Sequence, residues 1–244
     1  MKYKIMGTTM QTVNIELSKG ERVYSESGNM AWMSDNIKME TSTRGGLKES
    51  IKRIFGGESF FLNTFTCTNG KGVITFNSEF PGKIIPVEFG KGKELICQKD
   101  AFMCAQESVK LEMYFRKRLG VGFFGGEGFV LQKLSGKGMA FIELGGEITQ
   151  VTLKKDQELF VDTGHIAMYD PSVDFDIQIL RGGKNILFGG EGLFLAKLTG
   201  PGKVWLQSMP LSKLADKIGG YIRTGSESSR GGIGDIIGKF FGGV

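Results

Sequence analysis

Apolar and polar residues alternate one for one in three widely separated stretches of the chain: Ile37-Lys38-Met39-Glu40, Val109-Lys110-Leu111-Glu112 and Val173-Asp174-Phe175-Asp176. A period of two puts every second side chain on one face, so each stretch predicts a β-strand with one buried face. The same prelude leads into each. A charged or polar turn opens a short strand (Arg22-Val23-Tyr24, Glu94-Leu95-Ile96, Glu158-Leu159-Phe160), and a turn follows near Gly28, Asp100 or Gly164. A small apolar pair then follows: Met30-Ala31, Phe102-Met103 or Ile166-Ala167.

Downstream, one phrase is written three times. Phe55-Gly56-Gly57-Glu58-Ser59-Phe60-Phe61-Leu62 returns as Phe124-Gly125-Gly126-Glu127-Gly128-Phe129-Val130-Leu131 and as Phe188-Gly189-Gly190-Glu191-Gly192-Leu193-Phe194-Leu195. A Gly-x-Gly pair follows each copy: Gly70/Gly72, Gly136/Gly138, Gly200/Gly202. Glycine there supplies positive φ or close backbone approach, at a hairpin in the second case. The whole predicts an all-β domain over 1–210 made of three homologous modules, 12–82, 86–145 and 150–210. Such a unit buries its apolar face only against its neighbours. Three copies most simply close into a pseudo-threefold arrangement, which limits exposed sheet edges.

Two segments break the β pattern. In 45–54, Leu47, Ile51 and Ile54 fall at i, i+4 and i+7, predicting a short helical insertion. Beyond Pro210, the C-terminal tail 211–244 opens with Leu211, Leu214, Ile218 and Ile222 at helical spacing, interrupted by Gly219-Gly220. Thr224 to Gly232 reads as a Gly/Ser-rich linker. Ile233, Ile236, Ile237, Phe240 and Phe241 then fill every apolar position of an amphipathic helix, against Gly234 and Gly238 at about 1 kcal/mol each.

Composition sharpens this picture. Glycine, at 38 of 244 residues, is roughly twice its ordinary usage, as many tight turns between short strands require. The 40% apolar content suffices for a packed core. A net charge of +5 permits contact with nucleic acid or anionic lipid but compels neither. The amino terminus lacks a signal-type apolar core, and no run approaches the 18 apolar residues of a membrane span, so a soluble cytoplasmic protein, peripheral to a membrane at most, is expected. Cys67, Cys97 and Cys104, odd in number and without C-x-x-C spacing, read as small buried side chains in a reducing compartment.

The repeated Gly-Gly-Glu phrase, the paired Gly-x-Gly and the Gly/Ile/Phe-rich end resemble a bacterial and archaeal family related to the yeast altered-inheritance-of-mitochondria protein. The resemblance spans roughly 12–210, with the tail a weaker match. It implies a duplicated form of the fold of the tryptophan-sensing RNA-binding attenuation protein (TRAP), with three modules about a pseudo-threefold axis. The mitochondrial relative implies a role in membrane organisation, although no presequence is expected at this amino terminus.

The candidate chemistry is sparse. Gly120-Val121-Gly122-Phe123-Phe124-Gly125 spells G-x-G-x-x-G, but the residues after it are strand-like, where a dinucleotide site needs a helix. Neither Gly136-Lys137-Gly138 nor Gly200-Pro201-Gly202-Lys203 has the spacing of a phosphate loop. His165 is the lone histidine; it occupies the place of Asn29 and Ala101 in the other modules and reads as a turn residue. Glu58, Glu127 and Glu191 can each accept N–H groups of their turn, or converge on an axis and share a cation. Basic residues cluster once per module (Arg44, Lys52 and Arg53; Arg116, Lys117 and Arg118; Arg181 and Lys184), a pattern that could form a stripe for phosphate backbones or stay solvated.

No catalytic set, metal site or cofactor is expected. The reading is a non-enzymatic scaffold or binding protein that forms homo-oligomers, with Ile233, Ile236, Ile237, Phe240 and Phe241 as its surface for a membrane or a protein partner. The same tail could dock on its own β modules or remain disordered. RNA binding through the basic clusters and small-ligand sensing between modules are the alternatives.

Overall fold

The computed structural model describes residues 1–42, 62–117, 129–179 and 194–226. A leading strand, β1 (Lys2–Met6), precedes three runs of six. The first run is β2 (Thr12–Ser18), β3 (Arg22–Glu26), β4 (Met30–Met33), β5 (Ile37–Ser42), β6 (Leu62–Cys67) and β7 (Lys71–Asn77). The second is β8 (Gly82–Phe89), β9 (Leu95–Gln98), β10 (Phe102–Gln106), β11 (Val109–Lys117), β12 (Phe129–Gly136) and β13 (Gly138–Gly145). The third is β14 (Ile148–Leu153), β15 (Glu158–Asp162), β16 (Ile166–Tyr169), β17 (Asp174–Ile179), β18 (Phe194–Thr199) and β19 (Gly202–Gln207), and helix α1 (Leu211–Ser226) follows. The protein is all-β in class, with antiparallel sheets throughout the described residues.

One pairing scheme recurs in every run. The sixth strand lies between the first and third, as in β2-β7-β4, β8-β13-β10 and β14-β19-β16. The fifth lies between the second and fourth, as in β3-β6-β5, β9-β12-β11 and β15-β18-β17. Each module is therefore a sandwich of two three-stranded layers. The third strand carries a bulge at the same place each time, at Met30/Trp32, Phe102/Cys104 and Ile166/Met168.

Modules join edge to edge. β3 of the first pairs with β10 of the second, and β9 of the second pairs with β16 of the third. The layers fuse into four sheets: β1-β2-β7-β4, β5-β6-β3-β10-β13-β8, β11-β12-β9-β16-β19-β14 and β15-β18-β17. A closed threefold within one chain would add a third such junction, between β15 and β4. Both are terminal strands of their sheets, so strand pairing does not make it.

Three apolar layers fill the spaces between successive sheets. Ile15, Phe65, Phe76 and Phe141 pack between the first and second sheets. Tyr24, Phe102, Leu134 and Ile142 lie between the second and third. Phe129, Leu131, Ile166 and Tyr169 lie between the third and fourth. The two six-stranded sheets are covered on both faces, which is why β9 (Leu-Ile-Cys-Gln) and β16 (Ile-Ala-Met-Tyr) are buried along their whole length. One-face alternation describes the outer strands, such as β2, and fails for these inner ones.

The Gly-x-Gly pairs are not hairpins, because the strands they connect lie in different sheets. They are corners. Gly136 (φ 101°) and Gly138 (φ 129°) occupy the left-handed region that only glycine enters freely, and a Cβ on Gly136 would press on the Ser108 carbonyl. Helix α1 runs through Gly219 and Gly220, where an interruption was expected, and continues to Ser226, inside the stretch read as linker. Good helix formers on either side, Leu214, Ala215, Lys217 and Arg223, carry the backbone across a penalty of about 1 kcal/mol per glycine. The helical insertion expected at 45–54 and the apolar stripe of 233–244 lie outside the described residues.

A Cβ on Gly145, at the end of β13, would overlap the Met209 carbonyl oxygen, where the third module closes on the second. Gly145→Ala is expected to cost about 1–3 kcal/mol, through forced backbone movement in a packed interior. A urea unfolding midpoint equal to that of the parent protein would refute the contact.

Candidate functional site

The residues singled out by the repeated phrase, Gly56, Gly57, Glu58, Gly125, Gly126, Glu127, Gly189, Gly190 and Glu191, lie outside the described residues. So do Arg44, Lys52, Arg53, Arg118, Arg181, Lys184 and the tail set Ile233, Ile236, Ile237, Phe240 and Phe241. Of the basic clusters, the backbones of Arg116 and Lys117 end β11, opposite Val130 and Phe129. The three cysteines are free and buried. Burial pushes the Cys97 thiol up to about 12, and Cys104 also stands well above its ordinary value, so neither presents a thiolate near neutral pH.

The polar centre of the described structure lies where the three modules meet. A small cleft there is lined by Phe80, Gln98, Asp100, Glu143, Gln207 and Leu211. Its side chains come from β9, β13 and β19, from the turn between β9 and β10, from the segment entering β8 and from the start of α1. Glu143 and Gln207 occupy the same place in successive sixth strands, the fifth residue past the second glycine of the Gly-x-Gly pair; Asn77 holds that place in the first module. Both are buried.

Their hydrogen bonds run from module to module. The Glu79 N–H donates to Glu143 Oε1 at 2.9 Å, and the Phe80 N–H does so at 3.5 Å. In the same way the Gly145 N–H donates to Gln207 Oε1 at 2.9 Å. Gln207 Nε2 in turn donates to Gln98 Oε1 at 3.1 Å and to the Gly164 carbonyl at 2.9 Å. One amide thus ties the last strand to β9, to the end of β13 and to the turn before β16. His165 sits on that turn with Nδ1 2.8 Å from the Gln207 carbonyl oxygen, so the turn role read from the sequence holds. At the other end of the turn Asp162 accepts from the Gly164 N–H at 3.2 Å and pairs with Lys213 of α1 at 2.9 Å.

Burial pushes the Glu143 carboxyl up to about 7, outweighing the N–H groups of Phe80 and Glu79 that favour its charged form. A buried carboxyl that titrates near neutrality has the proton affinity of a general acid or base. Here its oxygen is engaged by the backbone that begins the link to the second module. Among the described residues no three His, Cys, Asp or Glu side chains are grouped to hold a metal ion. The chemistry this geometry performs is structural: it satisfies backbone donors left open where one module is handed on to the next.

Sequence reasoning passed over Glu143, Gln98 and Gln207. The available signal was a polar residue at one fixed repeat position inside an otherwise apolar strand: Phe76-Asn77, Ile142-Glu143, Leu206-Gln207.

Fold and site together define a class: antiparallel β proteins of three like sandwich modules, cross-braced by buried side chains from the last strands of the second and third. The model of one family, described as mitochondrial biogenesis AIM24, matches residues 3–209. The chain belongs to that family. It is 27% identical over 222 residues, 88% of either chain, to an uncharacterized protein of Streptococcus pyogenes serotype M6. Its structure is similar to the crystal structure of a Streptococcus pyogenes protein, with a TM-score of 0.73 at 25% identity, covering 90% of this chain and 99% of that one.

The Glu143 carboxyl gives a signed pH dependence. Its folded value lies above the ordinary 4.5, so the folded state keeps a proton that the unfolded chain has lost. Its contribution to stability is therefore greatest below about pH 4.5, declines as pH rises through the window to about 7, and is level above it. Glu143→Gln keeps an acceptor for the Glu79 N–H and removes the titration. The variant is expected to be more stable than the parent by about 1–2 kcal/mol near pH 8, with the gap closing near pH 4. Thermal melts across this range check it; a gap that does not depend on pH would refute the assignment.

Proposed function

We propose that the protein is a non-enzymatic scaffold: a TRAP-like core of three β modules that self-associates and is brought to a membrane surface by its C-terminal tail. The observation that carries this reading is the direction in which apolar surface is spent. The polar groups at the module junction are consumed in hydrogen bonds that hold the modules together. Beyond them, α1 leaves the core anchored by Lys213 to Asp162, yet Leu211 and Ile218 stay exposed on it. The chain then continues into 233–244, whose apolar residues follow a helical stripe. A helix that displays apolar residues and leads into a second apolar stripe, in a tail 211–244 of five basic and three acidic residues, suits a membrane interface. No helix among the described residues is long and apolar enough to cross a bilayer, so the association would be peripheral.

The test is flotation of the full-length chain and of residues 1–232 with anionic and with neutral liposomes. The full-length protein is expected to float with anionic vesicles and the truncated one to stay at the bottom of the gradient, both with the same β-sheet circular dichroism. Equal behaviour of the two proteins would remove the tail from the membrane role.

A further inference from the structure

The two internal junctions are built alike, residue for residue. At the first, Ala105 of β10 lies opposite Tyr24 of β3, and Cys104 opposite Ser25. At the second, Tyr169 of β16 lies opposite Ile96 of β9, and Met168 opposite Cys97. The side chain that the second strand of a module sends toward its successor is sealed at both: Tyr24 is 1% exposed and Ile96 is fully buried. The Tyr24 hydroxyl reaches under the next module to donate to the Val109 carbonyl at 3.1 Å. The third strand sends its own bulge residues back toward the preceding module, and Cys104 and Met168 are likewise buried.

The pairing pattern of the modules puts Phe160 of β15 at the place of Tyr24 and Ile96, and Trp32 of β4 at the place of Cys104 and Met168. These two are 51% and 54% exposed, the extremes among the large apolar residues described. Each lies on a terminal strand of its sheet, with a row of backbone groups facing outward. Among the described residues no other module is paired to β4 or to β15, and the exposed aromatics mark both open edges.

We propose that a second copy of this chain fills them: β15 of one molecule pairs antiparallel with β4 of the next, burying Phe160 and Trp32. This deepens the self-association in the functional reading and names its surface. Transferring the internal register places Phe160 opposite Met33 and Val161 opposite Trp32. The interface is head-to-tail, using a different surface on each partner, so it closes into a ring or extends as a filament. One like-charge contact falls in the register, with Glu158 opposite Asp35. Lys197 pairs with Glu158 as Lys133 pairs with Glu94 at the second junction, and salt is expected to leave the association intact or strengthen it.

The test uses the full-length chain with Trp32→Glu, blocked at β4, and Phe160→Glu, blocked at β15. The parent protein is expected to sediment as species larger than a monomer at high micromolar concentration. Each variant alone should lose every such species while keeping the parent's circular dichroism. Mixed, the two variants should form one dimer and nothing larger, because one free β4 meets one free β15. A monomeric parent, variants that associate like the parent, or a mixture that fails to pair would each overturn the proposal. Should a variant misfold, oxidative cross-linking of a mixture of Met33→Cys and Phe160→Cys proteins decides. A cross-link between the two single-variant chains supports the register; in a chain that carries both substitutions, a cross-link confined within one molecule shows that the molecule closes on itself and overturns it. Repeating sedimentation on residues 1–232 separates the two readings: association that survives the truncation belongs to the β edges, and association that disappears with the tail refutes the edge proposal while leaving tail-driven assembly standing.

Discussion

The pairing of one module's second strand with the next module's third strand is the constraint on which everything else rests. It turns three small sandwiches into a continuous stack, because it fuses half-layers into six-stranded sheets buried on both faces. A three-stranded layer alone would bury one face and leave the other wet, and a unit so small is marginal. Fusion gives β9 and β16 two apolar neighbours each, one sheet above and one below. The residues at the junction are buried whatever their size, Cys97, Cys104 and Ala105 beside Tyr24, Ile96 and Tyr169.

The buried polar residues answer the problem that fusion creates. Where the chain turns from one sheet into the next, backbone N–H groups of Glu79 and Gly145 point into the interior without a strand partner. Glu143 and Gln207 supply the acceptors, from one repeat position. The difference between them is instructive. An amide satisfies its donor without charge, and its nitrogen goes on to fasten Gln98 and Gly164. A carboxyl at the equivalent place bears the cost of burial and holds its proton toward neutrality.

Much of the architecture was legible in the sequence, for a definite reason. Period-two alternation at Ile37, Val109 and Val173, together with the Gly-x-Gly pairs, reports local backbone geometry, and local geometry is what a sequence expresses most directly. Sheet membership is not local. Nothing at Gly136-Lys137-Gly138 says that β12 and β13 belong to different sheets, so a corner read as a hairpin. Burial on two faces erased the alternation in β9 and β16 for the same reason. The helix through Gly219-Gly220 went the other way, since neighbours of high propensity outweighed two unfavourable residues. The junction site was the least visible, because Glu143 and Gln207 acquire their roles only when a second module is present to offer them donors.

The order of strand pairing also has a consequence for how the chain is made. Almost every pairing that defines a module is remote in sequence: Ile15 lies opposite Ile74, Ile85 opposite Ile142, Val151 opposite Val204. The junctions are more remote still, with Tyr24 opposite Ala105 and Ile96 opposite Tyr169. Non-local pairing of this kind makes folding slow. On a ribosome, the first module is complete once β7 emerges, but its β3 edge must then wait, apolar and unpaired, until β10 has been synthesised. The second module repeats that wait at β9. The growing chain therefore passes twice through a state that exposes an edge which the finished chain pairs internally, and such intervals are where aggregation competes with folding.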